Sequence, residues 1–385
     1  METVVQMEQH QRPVEINSNT ESNGAQKTNK SKRIAPLCFN IFLTAIGWSA
    51  SPLLFRIYFL HGGKRKWLSA FIQTAGFPIL LVPLFFSYLR RRSSNNIRVV
   101  CFGTLPLVLY MSIIGLTTGL VDFFYAYGAS YLPVSTSSLL ISTQLGFTAF
   151  FAFLLVKQKF TSFSVNSVVL LTLAAAALGI HSAGDKPEGE SQTNYYIGFV
   201  MALSTAVVYG FVLPLIELVY NKSKQEVTYT LVMETQFIVG LTATLFCAVG
   251  MAINKDFQNA GHGKRGRGVR NRKANYYLVL VFSAVLSQAG NVGLMGVINY
   301  SSALLGGVVT TSCIPVTEVL AIFFFHEKFD GEKGVALALS LWGIVFYFYG
   351  EYKNNRKKDD KEKKTMQMTT TADDLPNGQI ELLTV

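Results

Sequence analysis

Apolar runs of about 20 residues recur along almost the whole chain, each long enough to cross a ~30 Å hydrocarbon layer as a helix. No other feature restricts the fold as strongly, because in lipid only helices and closed barrels satisfy every backbone polar group. The runs read as spans 34–60, 67–89, 104–127, 132–156, 163–182, 195–219, 228–253, 276–298, 302–325 and 333–351. The expected fold is an all-α polytopic membrane protein with ten transmembrane helices. Only the turn around Gly128–Pro133 separates the third span from the fourth. Residues 1–33 and 352–385 are polar and charge-mixed, and are expected to form disordered cytoplasmic tails. The first 33 residues hold no cleavable apolar core, so the first span is expected to act as the insertion signal.

With 50% hydrophobic and 15% charged residues, the chain has too little charge to cover a soluble surface. Its net charge of +11 lies in short clusters between apolar runs, such as Lys64-Arg65-Lys66, Arg90-Arg91-Arg92 and Arg356-Lys357-Lys358. Clusters so placed meet lipid headgroups and set topology, which argues against a nucleic-acid partner. With both termini cytoplasmic, 20 basic residues fall inside and 13 outside, and plasma-membrane residence is expected. The basic segment 264–273 stands against this bias. Cys38, Cys101, Cys247 and Cys313 show neither metal-ligand spacing nor a disulfide framework, and no metal or cofactor is expected.

An offset of 169 residues brings Tyr131 onto Tyr300, Thr148 onto Thr317, Ala152 onto Ala321 and Lys159-Phe160 onto Lys328-Phe329. The element order repeats with it. Five helices are an odd number, so the second copy must insert upside down. Residues 34–182 and 195–351 then form two inverted five-helix repeats joined by a linker at 183–194, as in alternating-access transporters. The offset also maps Asp122 onto Asn291, and the stripe Ser137, Ile141, Gln144, Thr148 onto Gly306, Thr310, Cys313, Thr317. Such faces suit either close packing or a lined cavity. Packing alone is enough for Gly306 and Thr310, whereas Gln144 points to the cavity.

Ionisable groups inside spans cost about 2.5–3.5 kcal/mol on insertion scales, so each needs a reason. Arg56 and Glu217 lie near span ends, where snorkelling or an interfacial ion pair accounts for them. Asp122 sits among aromatics in Asp122-Phe123-Phe124-Tyr125. There a carboxylate can accept from the N–H groups of a nitrogenous ligand while Tyr125 or a Phe stacks. Gln144, Gln288 and Asn291 offer amides that both donate and accept. Trp48 of the first span completes the candidate substrate contacts. Glu234 and Glu318 are candidate proton-coupling groups, because desolvation disfavours a carboxylate's charge. A neutral structural role is open to both.

The stretch Tyr125-Ala-Tyr-Gly-Ala-Ser-Tyr-Leu-Pro-Val-Ser-Thr-Ser-Ser-Leu-Leu-Ile-Ser-Thr-Gln144 resembles the signature of the plant purine permease family. So do Lys157-Gln-Lys-Phe160, Pro315-Val-Thr-Glu-Val319, Gly331-Glu-Lys-Gly-Val-Ala-Leu-Ala-Leu-Ser-Leu-Trp-Gly343 and Tyr347-Phe-Tyr-Gly-Glu-Tyr352. The resemblance runs from about residue 34 to 353. It implies membership of the drug/metabolite transporter superfamily, ten helices in inverted halves, and proton-coupled uptake of purines such as adenine, cytokinins or related plant alkaloids. Two departures bear on substrate. Asp122-Phe123 stands where the family commonly has Asp-Asn, and Ser287-Gln288-Ala289-Gly290 where it has Trp-Gln followed by bulky residues. The second departure would enlarge a cavity and suit bulkier alkaloids.

An enzyme is not expected. The five His lie in tails, loops or span ends, and Asp122 has no second mid-span Asp as a partner. A channel would want charge rings or a filter loop. An organellar nucleotide-sugar or metabolite exchanger of the same superfamily would want basic residues in its spans, and the mid-span ionisables here are acidic.

Overall fold

A computed structural model describes residues 18–60, 65–93, 104–132, 137, 140–158, 160–181, 191–223, 228–256, 267–325 and 331–373. Among these the elements are helices: α1 (Ser18–Leu60), α2 (Lys66–Thr74), α3 (Leu81–Ser93), α4 (Leu105–Tyr131), α5 (Gln144–Val156) and α6 (Ser162–His181). There follow α7 (Gln192–Lys222), α8 (Tyr229–Ile253), α9 (Arg267–Tyr300), α10 (Ala303–Phe325) and α11 (Gly331–Asp373). Six stretches are long and apolar enough to cross a membrane: Ile34–Tyr58, Lys66–Arg90, Leu105–Tyr131, Gln192–Lys222, Tyr229–Ile253 and Tyr277–Tyr300. Leu140–Val156, Ser162–Ala174 and Ala303–Thr317 are shorter apolar helices. Large apolar side chains such as Phe42, Phe85, Phe86, Leu105, Phe150 and Phe282 lie exposed around the bundle, an outer surface suited to lipid rather than water.

Helix ends follow local chemistry. α4 stops at Tyr131 because Leu132 is extended (φ −106, ψ 149), the backbone that a following proline imposes. The helix is therefore interrupted between the third and fourth expected spans. Lys157 closes α5 in the left-handed conformation (φ 54). Thr228 caps α8 by accepting from Leu231 N at 3.4 Å. The second span is broken between α2 and α3 by a 3-10 turn over Phe77–Leu80 that holds Pro78.

The tails differ from expectation where they are described. Helix already begins at Ser18 and runs on to Asp373, so both tails are partly helical. Once a span has nucleated a helix, each added residue costs little, and residues 352–373 hold six Lys and two Met, which favour helix. The basic segment shares this character, since Arg267–Lys273 form the first turns of α9. Residues 1–17, 374–385, most of the 183–194 linker, Pro133 and Lys159 lie outside the described residues.

The seam between α1 and α9 is built from small residues. Gly47 faces the backbone of Gly290, Gly293 faces Thr44, and Gly296 faces Asn40, each leaving no room for a Cβ. Thr44 and Asn40 turn their side chains back onto their own helix, to Asn40 O and Pro36 O. At one end of the bundle a buried core closes the interior. It joins Leu107, Met111 and Ile114 of α4 to Ile216, Val219 and Tyr220 of α7, with Leu231 and Val232 of α8 and Met295 and Ile298 of α9.

Candidate binding cavity

Five of the six residues proposed to touch substrate meet at one cavity: Trp48, Asp122, Tyr125, Gln144 and Asn291. It encloses about 110 Å³, several times the ~10–15 Å³ one water needs. Helical spacing explains the lining. α4 contributes Thr118, Val121, Asp122 and Tyr125, at steps of 3 and 4. α10 contributes Thr310, Cys313, Ile314 and Thr317 in the same register, with Thr311 beside them.

Gln288 is the exception. It is buried but does not line the cavity. The face that α9 turns inward is Ser287 and Asn291, four residues apart, and Gln288 is rotated about 100° from Ser287. It packs instead beside Gly76, where an added Cβ would lie 2.7 Å from its own. Phe123 is likewise turned away, its ring stacked on Trp67 of α2 with centroids 3.9 Å apart. The Asp122-Phe123 departure therefore acts on packing between α2 and α4, whereas the Ser287 departure falls on the cavity wall itself. Ser137, Thr148 and Gly306 are absent from the lining; Gly306 packs against Leu294 and Ile298.

Most wall hydroxyls are already engaged. Thr118, Thr205, Thr310 and Thr311 donate to Ile114 O, Met201 O and, for the last two, Gly307 O. Ser51 and Ser287 share a hydrogen bond at 2.8 Å across the α1–α9 seam. Two buried polar atoms of the wall have no partner among the described residues: Asp122 Oδ2 and Gln144 Nε2. Leaving such a group unsatisfied costs about 1–3 kcal/mol, a cost that a ligand offering a donor and an acceptor would remove. Pro52 and Pro315 lack the N–H that would bond the carbonyls of Trp48 and Thr311, so both helices also carry a weakened backbone at the cavity. Trp48 and Tyr209 form an aromatic wall, with centroids 5.5 Å apart and planes at 51°.

Sequence reasoning missed Gln73, Thr205, Tyr209 and Ser51, whereas Ser287 belongs to the departure already noted. Gln73 had a visible signal as an amide within an apolar run, and Thr205 with Tyr209 form an i, i+4 polar pair in the α7 span. Of the two candidate coupling acids, Glu234 is not among the described lining residues. Glu234 is half-buried on α8, and the side chain of Glu318 on α10 lies outside the described residues. Glu217 has a partner that the sequence does not suggest: its Oε2 accepts from Ala303 N at 2.6 Å, at the first residue of α10. The described residues include no group of three or more His, Cys, Asp or Glu that could hold a metal ion.

A family model described as purine nucleobase transmembrane transport matches residues 35–357. Purine permease 3 of Arabidopsis thaliana is 47% identical over 323 residues, covering 83% of this chain and 92% of that protein. Purine permease 2 of the same plant is 43% identical over 354 residues, covering 89% and 99%. A solved crystal structure at 16% identity superposes with a TM-score of 0.55 over 84% of this chain and 98% of its own, which shows a shared fold.

Proposed function

From the premise that the chain belongs to the purine nucleobase transport family, and so is a membrane transporter rather than an enzyme, we propose that it takes up small nitrogen heterocycles through this cavity by alternating access. The substrates are purines such as adenine, cytokinins or related plant alkaloids. The carrying observation is the pair of unpartnered groups, Asp122 Oδ2 and Gln144 Nε2, in a cavity walled by Trp48 and Tyr209. A planar heterocycle bearing an N–H beside a ring nitrogen satisfies both while its faces meet aromatic rings. Among the described lining residues there is no Lys or Arg, which disfavours a nucleotide-sugar or phosphate cargo.

The mechanism takes the spans as two inverted sets of five, a reading that the helix contacts support. Exchanging the first five spans for the second turns the α1–α9 contact into α4–α7, α1–α10 into α5–α7, and α2–α4 into α8–α9, and all of these pairs touch. The cavity draws on equivalent positions, Thr118 and Ser287, Asp122 and Asn291, Ile141 and Thr310, Gln144 and Cys313. The segments Pro52-Leu53-Leu54-Phe55-Arg56-Ile57-Tyr58 and Pro214-Leu215-Ile216-Glu217-Leu218-Val219-Tyr220 carry the same pattern at the ends of α1 and α7. For proton coupling, Glu234 and Glu318 are kept as candidates, and the cavity adds Asp122. A plasma-membrane location with cytoplasmic termini completes the reading.

The decisive test is uptake by yeast lacking its own purine transport, against a panel of purines, cytokinins, vitamins and alkaloids at several external pH values. Saturable accumulation of at least one nitrogen heterocycle is expected. No accumulation of any of them, with the protein at the cell surface, overturns the reading. Ser287 on the wall favours a second reading, an importer specialised for bulkier alkaloids. Under that reading bulky amines compete with adenine uptake.

A further inference from the structure

We propose that Gly290, which does not itself line the cavity, sets the cavity's width by fixing the position of the Trp48 indole. The inference rests on the cavity being the substrate site. Gly290 is buried in the α1–α9 seam behind Trp48. A Cβ at this position would lie 2.8 Å from Trp48 Cδ1 and 3.2 Å from the Gly47 Cα. Cδ1 is next to the atom that attaches the ring to its stem, so no rotation of a side-chain tip relieves the clash. The indole has to move as a plate. Gly47 already rests against the Gly290 backbone, and a Cβ on Gly47 would also lie 2.6 Å from Leu286 O, so the seam has no slack to absorb the added atom. The space left to the indole is the cavity that it lines with Tyr209.

A methyl group at 290 therefore narrows the cavity at the aromatic wall while leaving Asp122 and Gln144, on α4 and α5, where they are. Gly290 is thus a positioning residue for substrate size: an unsubstituted purine ring keeps its contacts, whereas a ring bearing a bulky substituent loses room. One methylene in an apolar pocket discriminates by roughly 10–200-fold, which sets the scale.

The test measures KM for adenine and for adenine carrying a benzyl group on its exocyclic nitrogen, at matched surface amounts in transport-deficient yeast. Gly290→Ala is expected to leave the adenine KM within about twofold and to raise that of the benzyl derivative about tenfold or more. Adding Trp48→Phe should restore the benzyl derivative. Trp48→Phe alone should lower its KM, a result that does not depend on the Gly290→Ala protein reaching the membrane. Equal shifts for both substrates, or no rescue, overturn the proposal. Asp122→Asn serves as the control. If it weakens or abolishes uptake while Gly290→Ala leaves selectivity unchanged, the role of Gly290 alone fails. If it leaves both uptakes intact, the cavity reading fails and this proposal with it.

Discussion

Glu217 Oε2 on α7 accepts a hydrogen bond of 2.6 Å from the backbone N–H of Ala303, the first residue of α10. The carboxylate adds to the cap that Ser302 supplies, whose hydroxyl accepts from Leu305 N at 3.2 Å, and its charge faces the positive end of that helix. The bond lies at the end of the bundle where Val219, Tyr220, Met295 and Ile298 close the interior. Glu217→Ala is expected to lower the stability of the solubilised protein by about 1–2 kcal/mol, the usual cost of a lost cap. Thermal unfolding in detergent measures it; an unchanged midpoint would show that the bond does not hold the closed end.

Asp122→Asn replaces a group that can accept at both oxygens by one that must donate at one. If Asp122 receives the ligand N–H, about 1.5–3 kcal/mol of binding is lost, or roughly 10–100-fold in KM. Radiolabelled adenine uptake at matched surface expression reads this directly. Normal transport would remove Asp122 from the site.

The α1–α9 seam makes a prediction about folding rather than binding. A Cβ on Gly293 would lie 2.6 Å from both the Thr44 backbone nitrogen and its hydroxyl oxygen. Gly293→Val should therefore cost about 1–3 kcal/mol through overpacking. Reduced surface abundance and a lower melting midpoint are expected, with the KM of the remaining protein unchanged.

Coupling to protons predicts that a protonophore collapses accumulation in intact cells and that uptake rises as the external pH falls. Accumulation that survives the protonophore would point to facilitated transport or another ion.

Much of the fold was legible because hydropathy is a one-dimensional signal. A run of apolar residues marks a helix wherever it lies in the chain, and six of the expected spans fall on helices long and apolar enough to cross a membrane. The site was legible only through its costliest residues. Asp122, Gln144 and Asn291 stand out because polar groups in lipid need a reason. The rotation of α9 was not visible in the sequence: Ser287 and Gln288 are neighbours in sequence, yet 100° of helix separates the wall from the packing face. Tyr209 was missed because it sits in an apolar run whose inward side is defined by neighbours distant in the chain, among them Trp48 of α1. The helical tails were missed because composition reports solvation and not the propagation of a neighbouring helix.

The seam between α1 and α9 also bears on how the chain is made. Asn40, Thr44 and Gly47 present a polar and thinly covered stripe that finds its match only on Gly296, Gly293 and Gly290. Most of the polypeptide is synthesised between these two helices. The first helix to enter the bilayer must therefore wait there, half-covered by lipid or by the insertion machinery, until α9 arrives. Neither half of the protein completes its own interior, so a fragment ending before α9 leaves α1 without its principal neighbour and open to quality-control degradation.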